Sequence, residues 1–182
     1  MSRSPKYSAV SPKELRRLFD YDEGTGHLLW KDSLQPRRNG HVAGHRNARR
    51  AIYVVITAPD GQRYAFLAHI LVWAWVYGSW PEGEIDHVNG DHQDNRLSNL
   101  RVCSHAENLR NQMKVFGSVP FKGVCRATRP KGRFEASIRV NRKAIYLGSH
   151  ETAEDAARAY DAAATRYFGE FAKTNASLGL LA

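Results

Sequence analysis

Sulfur is scarce in this chain, and its acids are outnumbered by its bases. Its two cysteines, Cys103 and Cys125, stand far apart and form no Cys-x-x-Cys pattern. That argues against a disulfide scaffold and a thiolate zinc site, so no structural zinc is expected, and it suits a reducing compartment. No apolar run approaches the ~20 residues that a helix needs to cross a bilayer. The opening Met1-Ser2-Arg3-Ser4-Pro5-Lys6 has no apolar core of a signal peptide. A soluble protein of the cytoplasm is therefore expected. Asp and Glu number 18 against 27 Lys and Arg, a formal charge of +9 with pI ≈ 9.8. Such a surplus points to a polyanionic partner, because Lys and Arg that neutralise phosphates release counterions and supply sequence-independent affinity. The competing reading of the charge alone is a soluble basic protein without such a partner.

What remains is ordinary globular material. With 42% hydrophobic and 25% charged residues over 182 positions, the chain can bury a core in one domain or in two small ones. A change of texture in the last third favours two.

Ser11-Pro12-Lys13-Glu14 has a cap residue, a proline suited to the first helical position and a glutamate three residues after the cap. Leu15, Leu18 and Phe19 add an i, i+3, i+4 face, which predicts a short helix. Asp22 to Gly26 breaks it and leads to a strand at His27–Trp30. Leu34 to Arg50 is rich in Arg, Gly, Asn and His without a period and reads as a basic loop, either a solvated connector or a DNA contact. Residues 52–57 and 63–67 flank Pro59-Asp60-Gly61 and predict a hairpin. His69–Tyr77 is apolar almost all round and predicts a buried helix ended by Gly78 and Pro81, with Trp73 and Trp75 in the core and His69 structural.

Further on, 84–88 and 97–102 read as strands around the turn residues Asn89-Gly90-Asp91. Ser104-His105-Ala106-Glu107 reads as a capping box that opens a helix carrying Asn108. Residues 114–120 read as a linker. Beyond it three short strands, 121–126, 133–140 and 143–147, precede a helix over about 153–168, with Thr152 as its cap. Phe134, Ala136, Ile138 and Val140 alternate with Arg133, Glu135, Ser137 and Arg139, so one sheet face is apolar and the other charged.

The chemistry concentrates between Ile85 and Asn108. Hydrolysis of a phosphodiester needs an activated water, charge relief at the phosphate and help for the departing 3′ oxygen. Asp86 and Asn108 offer hard oxygens that suit one divalent cation, Mg²⁺ first and Mn²⁺ second. His87 titrates near neutrality and is the natural general base. Adjacent strand residues face opposite ways, so Asp86 and His87 need a bulge or a strand end to serve one site.

Asp86-His87, Asn89-Gly90-Asp91, Asn95-Arg96, Asn99-Leu100-Arg101 and Glu107-Asn108 together resemble the His-Asn-His (HNH) endonuclease family, in its homing and phage branch where Asn replaces the last His. Leu67-Ala68-His69 and Gly78-Ser79-Trp80-Pro81 extend the likeness upstream. The resemblance implies a ββα-metal fold, a prokaryotic or phage-infected host, His87 as base, Asp86 and Asn108 as metal ligands, and Asn99 as the central Asn that orients the site. It leaves Asn95 to shape the loop and gives no role to His92 or His105.

Residues 121–175 resemble the plant Apetala-two and ethylene-response-factor DNA-binding domain. The likeness rests on Lys122-Gly123-Val124, Ile138-Arg139, Tyr146-Leu147-Gly148, Glu151 to Asp161 and Ala172-Lys173-Thr174-Asn175. It implies that Lys122, Arg133, Arg139 and Tyr146 face DNA, with Arg126 and Arg129 beside them. The plant pattern has other residues where this chain has Cys125, Ala127 and Tyr146, so the plant site preference is not expected to transfer.

The expected whole is α+β. A ββα-metal nuclease module with flanking hairpin and helices (1–113, core about 84–113) precedes a linker. A three-stranded antiparallel sheet packed on one helix (121–175) and a tail (176–182) follow. The expected function is metal-dependent cleavage of double-stranded DNA, nicking in style because each chain has one motif. A monomer is favoured and a dimer is the other option. The alternative function is a non-catalytic sequence-specific DNA-binding protein.

Overall fold

The computed structural model describes residues 5–31, 36–46, 51–110 and 119–181. Residues 114–118 of the expected linker, and 34–35 and 47–50 of the basic stretch, lie outside them. The chain divides into two compact units, Met1–His105 and Ala106–Ala182.

The first unit begins with α1 (Lys6–Ala9) and α2 (Pro12–Leu18). Ser11 caps α2 as its sequence predicts, its Oγ accepting from the Glu14 amide at 3.1 Å. The helix ends one residue earlier than its apolar face suggests, because Phe19 opens a strand. That strand, β1 (Phe19–Asp22), pairs antiparallel with β2 (His27–Trp30). Sequence reading missed β1, since Phe19 fits a helix face as well as a strand. In the expected basic loop, Pro36–Arg38 forms a 3-10 turn and β3 (His45–Arg46) pairs with β4 (Ile52–Thr57). The hairpin of β4 with β5 (Arg63–Leu67) has the expected bounds, and Val54 and Phe66 face each other in its buried layer. Its turn is locked by the Gly61 amide on Ala58 O and the Gln62 amide on Asp60 Oδ1.

Next comes α3 (Ala68–Tyr77), stopped by Gly78 in the left-handed region at φ 70°, where glycine carries no Cβ penalty. Arg16 donates to the Trp75 and Val76 carbonyls at 2.7 and 2.9 Å, satisfying two acceptors that the helix end leaves open. Trp75 donates to Phe19 O at 2.9 Å, and Trp73 and Trp75 pack on the core. Trp80 stacks on Phe66 with ring centroids 5.5 Å apart and meets Tyr7 at 4.9 Å. This aromatic cluster, with Leu15, Phe19, Leu71 and Val72, is the interior of the unit. Finally β6 (Glu84–His87) pairs antiparallel with β7 (Leu100–Cys103). The expected second strand starts late, because Leu97–Asn99 makes a 3-10 turn first.

The second unit takes up the chain in α4 (His105–Arg110), and its body is a sheet of β8 (Val124–Arg126), β9 (Phe134–Val140) and β10 (Lys143–His150) in the order β10-β9-β8. α5 (Ala153–Phe168) covers one face with Ala156, Ala157, Tyr160, Ala163 and Ala164 buried. Small side chains let the helix lie close to Ala136 and Ile138. Thr152 caps α5 through the Asp155 amide at 3.1 Å. Val119, from the expected linker, is buried in this core, and Leu181, from the expected tail, packs on it. β10 is longer than expected because a bulge between Tyr146 and Gly148 lets pairing resume at Gly148. Among the described residues no helix is long and apolar enough to cross a membrane, and both cysteines are free thiols.

Candidate active site

His87 is the last residue of β6, the strand end that the Asp-His pair requires, and only 2% of it is exposed. Its Nε2 lies 2.9 Å from Asn95 Oδ1. An amide oxygen only accepts, so Nε2 carries the ring proton and Nδ1 the lone pair. Burial lowers the His87 pKa, against the Asn95 bond that raises it. The imidazole is neutral near pH 7 and fit to accept a proton.

Two further imidazoles meet this ring, although sequence reading gave neither a part in the site. His69, in the first turn of α3, stands edge-on to His87 at 4.8 Å between centroids. Burial, followed by the nearness of His87 and then His92, pushes its pKa down to about 3. His92 brings its Nδ1 to 3.5 Å from His87 Nδ1. The only signal for either was the local density of histidine, because the contacts depend on how α3 and the 89–96 loop lie over β6.

Asn95 and Asn99 hold different partners. Asn95 is buried and holds the imidazole, whereas Asn99 holds the loop. Asn99 Oδ1 accepts from the Asn89 amide at 2.9 Å, and Nδ2 donates to Asn89 Oδ1 and Asp94 O at 3.0 and 2.8 Å. Asp94 grips Arg96, whose guanidinium holds its carboxyl down at about 2. The loop is also pinned from β1, where the Tyr21 hydroxyl donates to Asn95 O at 3.2 Å and accepts from the Leu97 amide at 3.0 Å.

Asp86 lies opposite Arg101 across the β6–β7 pair and shares its face. Arg101 Nε and Nη2 both reach Asp86 Oδ2, at 3.0 and 2.9 Å, in a partly buried ion pair. Its oxygens are hard donors of the type a Mg²⁺-class cation takes. Among the described residues, no three or more His, Cys, Asp or Glu group together to hold a metal. Asn108 lies in α4, within the second unit. His105 Nδ1 donates to Glu84 Oε1, 2.8 Å away, at the exposed rim of β6.

In the second unit Glu135, Ser137 and Arg139 line the sheet face that α5 leaves open, with Tyr146 opposite Ser137 and 61% exposed. Arg133 is partly buried and tied to Ser149 Oγ and O at 3.1 and 2.9 Å, while Arg129 is exposed in the β8–β9 loop. Two of the expected DNA contacts have other surroundings. Arg126 is in register with Phe134 and lies over its ring, 5.4 Å from the centroid, on the α5 side. Lys122 is partly buried, and burial, then the nearby Lys173, pull its pKa down to about 8.

Residues 66–110 match the family model described as HNH endonuclease. Curated relatives include ethylene-responsive transcription factor 3 of Nicotiana tabacum, 51% identical over 59 residues, covering 31% of this chain and 25% of that protein. They also include the ethylene-responsive transcription factor ERF084 of Arabidopsis thaliana, 57% identical over 49 residues, covering 26% and 19%. The chain thus spans about a quarter or less of the length of these relatives. A solved structure titled DNA binding and cleavage by the HNH homing endonuclease I-HmuI is 21% identical, with a TM-score of 0.40, covering 52% of this chain and 51% of its own. Over residues 66–110 the chain is thus similar to the HNH endonuclease family, and in its C-terminal region to the ethylene-responsive and APETALA2-type transcription factors.

Proposed function

We propose that this protein is a metal-dependent endonuclease of double-stranded DNA. The reading rests above all on His87, a buried neutral imidazole within the HNH segment, its Nε2–H committed to Asn95. In this reading His87 Nδ1 takes the proton of a water that attacks phosphorus, the bond from phosphorus to the 3′ oxygen breaks, and that oxygen leaves with a proton from solvent. Asn95 keeps the imidazole in one tautomer and orientation. Asn99 and Tyr21 keep the loop that carries Asn95 from moving. Asp86 and Asn108 are the ligands for one divalent cation, Mg²⁺ or else Mn²⁺, as the HNH likeness assigns them. Such a cation supplies charge relief at the phosphate and at the departing oxygen.

Arg139, Tyr146, Arg133 and Arg129 form the DNA-facing surface of the second unit, which raises the local concentration of DNA at the nuclease and biases where it cuts. One motif per chain supports nicking by a monomer working in the cytoplasm of a prokaryote or phage-infected cell. The decisive experiment incubates the protein with plasmid and genomic DNA, with Mg²⁺ or Mn²⁺, with chelator, and beside His87→Ala. Relaxed or linear plasmid that needs both metal and His87 is expected. Binding without cleavage under every condition would overturn the proposal.

One observation favours a second reading, a DNA-binding protein with a silent nuclease motif. The Arg101 guanidinium sits on Asp86 Oδ2 and already supplies the positive charge that the carboxylate needs. Under that reading DNA binding persists while metal changes nothing.

A further inference from the structure

We infer that the first unit holds a second nucleic-acid contact, a cleft that grips the phosphate backbone of the DNA with residues outside the HNH segment's His87 site. This rests on the proposal that DNA is the substrate. The cleft has a volume of about 490 Å³ and is lined by Arg37 and Arg38 of the 3-10 turn, Arg63 of β5, His41, His45 and Trp30, and among the described residues no carboxylate stands in its wall.

Among the described residues its charge is uncompensated. Residues 33–59 contain five arginines and neither Asp nor Glu. The next acid, Asp60, is turned to the Gln62 amide and the Tyr64 hydroxyl. Among the described residues, no carboxylate pairs with Arg37, Arg38 or Arg63, and all three are exposed. Like charges gathered without partners cost stability, so their company makes physical sense if an external anion completes it. Guanidiniums suit phosphate in particular, because their planar forks donate two parallel hydrogen bonds to its oxygens.

Their placement selects a chain of phosphates over a single one. Arg37 and Arg38 come from one element and Arg63 from the first residue of another, so the cations flank an open cleft on separate walls. A strand of DNA offers a charge at each step along it, and such contacts position a protein without reading sequence. The cleft also shares a mount with the His87 loop. Trp30 lies on β2 only two residues from Leu28, about 7 Å along the strand, and Leu28 pairs with Tyr21, whose hydroxyl pins Asn95. DNA held in the cleft is thereby held by the same hairpin that fixes the base.

The test measures binding of the full chain to a labelled DNA duplex over a salt series, without divalent cation. The parent is compared with Arg37→Ala/Arg38→Ala/Arg63→Ala, the matching triple Lys variant and Arg63→Ala alone. Each phosphate contact contributes about 0.9 to the slope of log K against log salt. The triple Ala variant is expected to bind more weakly with a slope shallower by about two to three, Arg63→Ala by about one, and the Lys variant to keep the parent slope. Unchanged slopes in both Ala variants, or a loss seen with an RNA duplex and not with DNA, would overturn the inference. No cleavage enters this measurement. A shallower slope in a protein that never cuts leaves the cleft standing and sinks the nuclease, whereas cutting with unchanged slopes does the reverse.

Discussion

His87 and Asp86 are neighbours in sequence and opposites in surroundings. One imidazole is wedged among His69, His92 and Asn95, while the carboxylate beside it answers to Arg101 across the strand pair. Arg101→Met takes the guanidinium from that buried carboxylate, and breaking such a pair costs about 3 to 5 kcal/mol. The loss should appear in chemical denaturation without metal and shrink as Mg²⁺ is added, because a cation on Asp86 takes the place of the guanidinium. A deficit that Mg²⁺ leaves untouched would argue against Asp86 as a ligand. His69 supplies a pH dependence. Its pKa near 3 in the folded protein lies below the ordinary 6.5, so the unfolded chain binds the proton first as pH falls. Its share of stability is complete above about pH 6.5 and drains away as pH drops towards 3. His69→Gln should flatten that part of the stability curve in denaturation measured at pH 7 and at pH 5; an equal slope in both proteins would refute the burial of a neutral ring. These residue roles were only partly legible. Asp86 and His87 stand out by type and spacing, but which asparagine holds the imidazole depends on the path of a loop, and asparagines look alike in a string.

At the scale of elements, glycines mark where backbones approach too closely for any side chain. A β-carbon on Gly26, in the β1–β2 turn at φ 76°, would fall on the Arg96 amide and the Asn95 carbonyl carbon. One on Gly123, at φ 77°, would fall inside the Tyr160 ring. Each position combines a positive φ with a rigid obstacle, so alanine should cost more than the roughly 1 kcal/mol of conformational strain alone. Gly26→Ala is expected to weaken cleavage as well as stability, since it displaces the loop behind His87. Gly123→Ala should loosen the sheet of the second unit and weaken DNA binding while the His87 site keeps its shape. Hydrogen exchange resolved by peptide distinguishes the two; protection lost around 95–96 in the Gly123 variant would contradict this separation. The hairpin β4–β5, α3 and α5 were readable from the sequence, because each has an unbroken period and strong end signals. β1 and β3 were not. They are short, and their pairing energy comes from partners distant in sequence.

For the whole molecule, charge is the common theme, and both units carry a surplus. Lys and Arg outnumber Asp and Glu by 14 to 11 in residues 1–105 and by 13 to 7 in 106–182. Arg139, on the open face of β9, should cost about 1 to 3 kcal/mol of binding when replaced by alanine if it contacts a base. A gel-shift titration at fixed salt checks this, and unchanged affinity and site preference would remove Arg139 from the interface. Lys122→Ala, by contrast, removes a partly buried stem near Asp161 and belongs with the packing substitutions.

The amino-acid string by itself carries the expectation of two parts, of an Asp86–Asn108 constellation and of a polyanionic partner. Each of these is written in residue type, local spacing or net charge, and needs no long-range contact to be seen. Only the tertiary structure decided that Asn95, rather than Asn99, reaches His87 and that His69 and His92 crowd the same ring. It also decided that Arg101 occupies Asp86, that Arg126 lies over Phe134, and that Arg37, Arg38 and Arg63 line one cleft. Those outcomes depend on where strands end and how loops cross other elements, and burial and register are set by the packing of the whole unit.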